Sequence, residues 1–195
     1  TSVADKNLPD DVGYAWSGTS YQEAKSSRGG AMVYLLALIF VFLALAALYN
    51  SWGLPLAILM SVPVAVAGAL VATVGAHMVR AVYVNNIFMQ ISLVMLIGLA
   101  AKNAILVVEY ADAIYRSSSG VTLAEAAMMA ARERVRPIIM TALAFILGVM
   151  PLVFASGIYS TARNIMGVAL VGGMILATVV GIFLYPAAFF LVAKW

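Results

Sequence analysis

The chain has 195 residues, of which 65% are hydrophobic and only 10% charged. Soluble domains carry about 25% charged residues, so an ordinary water-soluble globular protein is excluded and an integral membrane protein is implied. The formal net charge of +3 is too small to argue for nucleic acid, and with 0 Cys there is no disulfide framework and no thiolate metal site.

Residues 1–29 differ in material from the rest. Asn7, Pro9, Asp10, Asp11 and Gly13 are turn chemistry. Val12, Tyr14 and Trp16 alternate with small residues, which suits a short strand, and residues 21–28 suit a polar helical lead-in. This stretch is expected to be a short extracytoplasmic α/β tail, the end of a water-exposed domain. Residue 1 is Thr and no signal peptide precedes the apolar runs, so the chain is expected to be a C-terminal piece of something longer.

An all-α membrane domain is expected over 30–195, with five spans at about 31–49, 54–75, 87–111, 137–155 and 165–192. A turn at Asn50, Ser51 and Gly53 separates the first two, and Pro55 suits the first turn of the second. Pro63 lies inside the second span. His77 and Arg80 are expected in a short loop, and Asn85 or Asn86 can cap the third helix. Thr122-x-x-Glu125 is a capping box, expected to open a short Ala/Met-rich helix along the membrane surface before the fourth span. Gly68, Gly98, Gly148, Gly167, Gly172 and Gly173 are expected to mark close helix approaches.

Orientation follows from basic residues in short loops. Residues 112–136 carry Arg116, Arg132, Arg134 and Arg136, and Lys194 is at the C-terminus, against Arg80 and Arg163 on the other side. The long connection and the C-terminus are therefore expected in the cytoplasm and residues 1–29 outside it.

Lys102 is the residue that most needs explaining. It lies 15 residues after Ile87, roughly 22 Å along a helix and well inside a hydrocarbon core of about 30 Å. A charge at that depth costs at least ~2.5 kcal/mol and marks an ion pathway when paired. To stay protonated it needs a carboxylate nearby. Glu109 is seven residues on, about 10 Å along the same face and too far for a direct pair. The partner is expected on a helix outside this chain.

Thr141 and Arg134 are seven positions apart and share a face. Two readings stand for each. Thr141 can be a hydroxyl relay or can bond back to the Pro137 carbonyl. Arg134 can be a cytoplasmic gate or an interfacial anchor like Arg132 and Arg136. Asn103 can hydrogen-bond across helices or serve packing alone. His77 has no companion at metal spacing. The spans carry no paired aspartates, Ser–His dyad or HExxH, and no phosphate-binding glycine motif. An ion gradient remains as the energy source, worth about 2.3 kcal/mol per charge per 100 mV.

Four stretches resemble signatures of resistance–nodulation–division (RND) efflux pumps, in the hydrophobe/amphiphile branch. They are GLAAKNAILVVE (98–109), RVRPIIMTALAFILGVMP (134–151), ALYNSWGLP (47–55), and GYAWSG with SYQE (13–23). They fall in the family's order and cover nearly the whole chain. Asn50, the 76–86 loop and residues 157–160 depart from the pattern. The resemblance implies transmembrane helices eight to twelve of a proton-driven multidrug exporter, with residues 1–29 ending its periplasmic porter domain. It implies a proton relay in which Lys102, Thr141, Arg134 and Asn103 face an aspartate pair on the fourth helix of the other half. It implies an inner-membrane homotrimer that docks with a periplasmic adaptor and an outer-membrane channel, with protons as coupling ion, no cofactor and no enzymatic activity. The alternatives are an RND relative moving lipids, a protein-translocation component, or a membrane scaffold that transports nothing.

Overall fold

The computed structural model describes residues 30–49, 51–79, 87–117, 120–157 and 160–193. The tail at 1–29, Arg80 and the Asn85/Asn86 cap lie outside the described residues. Six helices make up the rest: α1 (Gly30–Tyr49), α2 (Gly53–Leu59), α3 (Val62–Val79), α4 (Ile87–Ser117), α5 (Leu123–Val153) and α6 (Ser160–Ala193). The described residues form an all-α membrane bundle, as expected. Gly53–Met78, Ile87–Ser117, Leu123–Val153 and Ser160–Val192 are long and apolar enough to cross a membrane, while α1 has a shorter apolar run, Tyr34–Tyr49.

The bundle is built on α6, which packs against α3, α5, α4 and α2. Helices α3 and α6 approach closely, and the approach depends on glycine. A Cβ on Gly68 would lie 2.6 Å from the Leu176 Cβ and 2.9 Å from the Gly172 carbonyl oxygen, and one on Gly172 would overlap the Ala72 side chain. This is small-residue packing that lets backbones touch where lipid supplies no hydrophobic drive. Around it lies a core of Ile58, Val107, Val108, Tyr185 and Phe189 toward one end and Met89, Leu96, Ile165 and Leu170 toward the other.

Several expectations need correction. The second span holds as Gly53–Met78, but it is made of two helices that meet at Met60 and Ser61, ahead of Pro63. Pro63 has no N–H for the Leu59 carbonyl, and the Ser61 amide and hydroxyl both turn back to the Ile58 carbonyl, the hydroxyl at 2.7 Å. His77 lies in the last turn of α3 and not in a loop. The third and fifth spans run longer than expected, to Ser117 and from Ser160.

The largest correction concerns α5. The surface helix and the fourth span are one helix of 31 residues with Pro137 inside it, about 46 Å long. The expected capping box is present: the Glu125 amide donates to the Thr122 hydroxyl and the Glu125 carboxylate accepts from the Thr122 amide at 2.9 Å. Once opened there, a run of Ala, Met, Arg and Glu has strong helix propensity and no glycine to stop it. One proline removes one hydrogen bond, which a membrane helix tolerates. Among the glycines, Gly98 and Gly148 have nothing within 4 Å of a Cβ and mark no close approach among the described residues.

Candidate functional site

Helix α4 presents two very different sides. Leu96, Ala100, Asn103, Ala104 and Val107 are buried against the bundle. Ile91, Met95, Gly98, Lys102 and Glu109 recur at helical spacing on the opposite side, and all are exposed. Lys102 is thus the cation in an otherwise apolar stretch of bare stripe. Among the described residues it has no hydrogen bond and no ion pair. Glu109 does not reach it, and the ion pair that α4 does make, Arg116 to Asp112 at 2.8 Å, lies at the helix end.

Asn103 points the other way. It is 1% exposed, and its Nδ2 has no hydrogen-bond partner among the described residues. The great majority of buried polar side-chain atoms have a partner, so this amide donor is an exception on the turn that carries Lys102.

Helices α4 and α5 form an antiparallel hairpin, linked through Gly120 at φ 110, a backbone conformation that glycine adopts without strain. Tyr110 fixes their register. The Arg134 guanidinium carbon lies 4.3 Å from the Tyr110 ring centroid, and the Tyr110 hydroxyl donates to the Glu133 carboxylate. Eight residues back from Tyr110 lies Lys102, and seven forward from Arg134 lies Thr141, roughly 12 Å and 10.5 Å along their axes. The two therefore sit at one depth. Thr141 is also exposed, and its hydroxyl donates to the Ile138 carbonyl at 3.0 Å. The expected back-bond exists, with Ile138 as acceptor in place of Pro137.

The structure thus brings Arg134 to Tyr110, places Lys102 and Thr141 level on uncovered helix faces, and buries Asn103. It does not bring Arg134 to either of the other two. The Tyr110–Glu133 contact was missed from sequence. The available signal was the seven-residue step from Asn103 to Tyr110, which sets both on one helix face. No cluster of His, Asp or Glu suited to a metal exists among the described residues.

The comparisons with known proteins agree with the motifs. The chain matches the AcrB/AcrD/AcrF family over residues 1–193. It is 49% identical over 185 residues to the multidrug resistance protein MdtF of Escherichia coli K12, covering 95% of this chain and 17% of that protein. It is 45% identical over 187 residues to the toluene efflux pump membrane transporter TtgB of Pseudomonas putida DOT-T1E, with 96% and 17% covered. It is 42% identical over 188 residues to the multidrug export protein AcrF of Escherichia coli K12, with 96% and 18% covered. The chain spans about a sixth of the length of these relatives. The chain belongs to the AcrB/AcrD/AcrF family of RND efflux transporters.

Proposed function

We propose that this chain works within a full-length inner-membrane transporter as the C-terminal membrane module of a proton-driven multidrug exporter. Lys102, Thr141, Arg134 and Asn103 carry its half of the proton relay, and an aspartate pair on a helix of the other half completes it. Protons are the coupling ion; no cofactor is required, and the chain performs no enzymatic chemistry. The assembly is a homotrimer that docks with a periplasmic adaptor and an outer-membrane channel. Residues 1–29 face the periplasm, and the C-terminus faces the cytoplasm.

The observation that carries this is the bare stripe around Lys102. An ammonium facing lipid at mid-helix costs at least ~2.5 kcal/mol, and an opposing carboxylate removes that penalty. Protonating the carboxylate abolishes the attraction and frees Lys102 to change partner. Thr141 lies at the same depth, and its hydroxyl leaves the Ile138 carbonyl by a side-chain rotation. Such a two-state switch is what gradient-driven coupling requires.

The test is proton flux in proteoliposomes containing the full-length transporter. Under an imposed pH gradient, Lys102→Ala is expected to abolish substrate-dependent flux while the protein stays folded and trimeric. Unchanged flux would make the lysine structural and remove the relay with it.

A further inference from the structure

Arg132, Arg134 and Arg136 stand two residues apart on α5. A step of two turns a side chain by about 200° around a helix, and a step of four brings it back to nearly the same side. Arg132 and Arg136 therefore share one side of α5, and Arg134 points the opposite way. The surroundings agree. Arg132 lies on the α6 side with Phe183 and Pro186, and both it and Arg136 are exposed. Arg134 is half-buried against α4.

No carboxylate pairs with Arg134 among the described residues. Asp112 is taken by Arg116, Glu109 lies on the exposed stripe of α4 with Lys102, and Glu133 accepts from the Tyr110 hydroxyl. The guanidinium sits instead over the Tyr110 ring, at 4.3 Å from its centroid. Two consecutive residues of α5 thus grip one tyrosine of α4, Glu133 at the hydroxyl and Arg134 at the ring. The two contacts support each other. A phenol that donates to an anion carries more electron density on its ring, and that density is what draws a cation. An ion pair would neutralise the arginine; an aromatic face fixes its place and leaves its charge intact. Arg134 stands three residues before Pro137 and seven before Thr141 on the same face, roughly 4.5 Å short of the apolar part of α5. It lies between the level of Lys102 and Thr141 and the Gly120 end of the hairpin.

We propose that Tyr110 and Glu133 are positioning residues for Arg134, holding its full charge between the Lys102–Thr141 level and the water at the Gly120 end of the hairpin. A cation fixed there repels a proton returning from that water, and a cation that swings free does not. The clamp therefore makes passage through the relay one-way. Neither Tyr110 nor Glu133 carries the proton. The inference rests on the proton relay proposed above and adds to it the two side chains that keep Arg134 in place.

The test uses the full-length transporter in proteoliposomes and two readouts. One is modification of Arg134 by phenylglyoxal, read by mass spectrometry against Arg132 as internal reference. The other is the return flux of protons when the pH gradient is inverted. Tyr110→Leu is expected to raise Arg134 modification about threefold and to raise the return flux with it. Tyr110→Phe keeps the ring and is expected to stay near wild type in both. Glu133→Gln is expected to fall between the two. Unchanged Arg134 modification in Tyr110→Leu would show that the ring does not hold the guanidinium, and would overturn the proposal. Raised modification with unchanged return flux would reduce the clamp to packing and overturn it equally. Should Tyr110→Leu fail to insert, Glu133→Gln decides: wild-type values in both readouts would refute the clamp. Adding Lys102→Ala to Tyr110→Leu is expected to close the leak and leave Arg134 as reactive. A leak that persists would refute the relay, and the one-way role with it, but not the hold on Arg134, so the two failures are told apart.

Discussion

At the scale of single residues, adjacent side chains on α4 do opposite things. Lys102 is exposed, and Asn103 is buried with an amide that has no hydrogen-bond partner among the described residues. A buried donor without an acceptor costs about 1–3 kcal/mol, whereas an apolar replacement of similar shape can be neutral. Asn103→Leu is therefore expected to leave thermal stability unchanged or raised, and to cut proton flux if the amide serves the relay. A clear drop in melting temperature would show the amide paired in the whole transporter and its role structural. Thr141 allows a sharper separation. Its hydroxyl bonds to the Ile138 carbonyl, so losing it leaves no buried orphan. Thr141→Val is expected to change stability by less than about 0.5 kcal/mol while lowering flux, and Thr141→Ser to restore most of the flux. Equal activity in Val and Ser variants would remove the hydroxyl from the mechanism.

At the scale of elements, two devices set the geometry that positions these residues. One is the capping box that starts α5. Thr122→Ala is expected to cost about 1 kcal/mol of helix stability, seen as faster amide hydrogen exchange over 123–126 with little change near Thr141. The other is the α3–α6 contact at Gly68 and Gly172. Gly172→Val would drive a branched side chain into Ala72, and overpacking of this kind costs about 1–3 kcal/mol. The readout is the melting temperature of the purified transporter, and an unshifted value would mean the helices can separate there without loss. The existence of the helices was legible in apolar run length, and the α5 start in Thr122-x-x-Glu125. The continuity of α5 was not, because the polar run 132–136 looked like a boundary. Polarity decides where a helix meets water, while propensity and caps decide where it stops. The break at Met60 and Ser61 was hidden for a related reason: Pro63 lies within an unbroken apolar run, and only the Ser61 bonds to Ile58 show where the first helix stops.

At the scale of the whole molecule, the question is which bare faces meet lipid and which meet protein. Sequence singled out Lys102, Thr141 and the absence of a counter-ion, because charge and depth can be read along one helix. It could not tell that Gly98 and Gly148 have no close neighbour among the described residues, because that depends on packing in three dimensions. Helix α1 and the α4 stripe make a matched pair for testing the point. Leu36 is 52% exposed and Met95 49%, so the described residues cover them equally. Nothing charged lies on α1, and lipid is an acceptable neighbour for it. Met95 lies seven residues before Lys102 on the same stripe, where lipid would have to solvate an ammonium. The chain has 0 Cys, so a single introduced thiol within it can carry a spin label. In the full-length transporter in bilayers, a label at Leu36→Cys is expected to collide freely with dissolved oxygen, and one at Met95→Cys to be several-fold less accessible. Equal accessibility would leave Lys102 facing lipid, and no carboxylate across an interface could then be its partner.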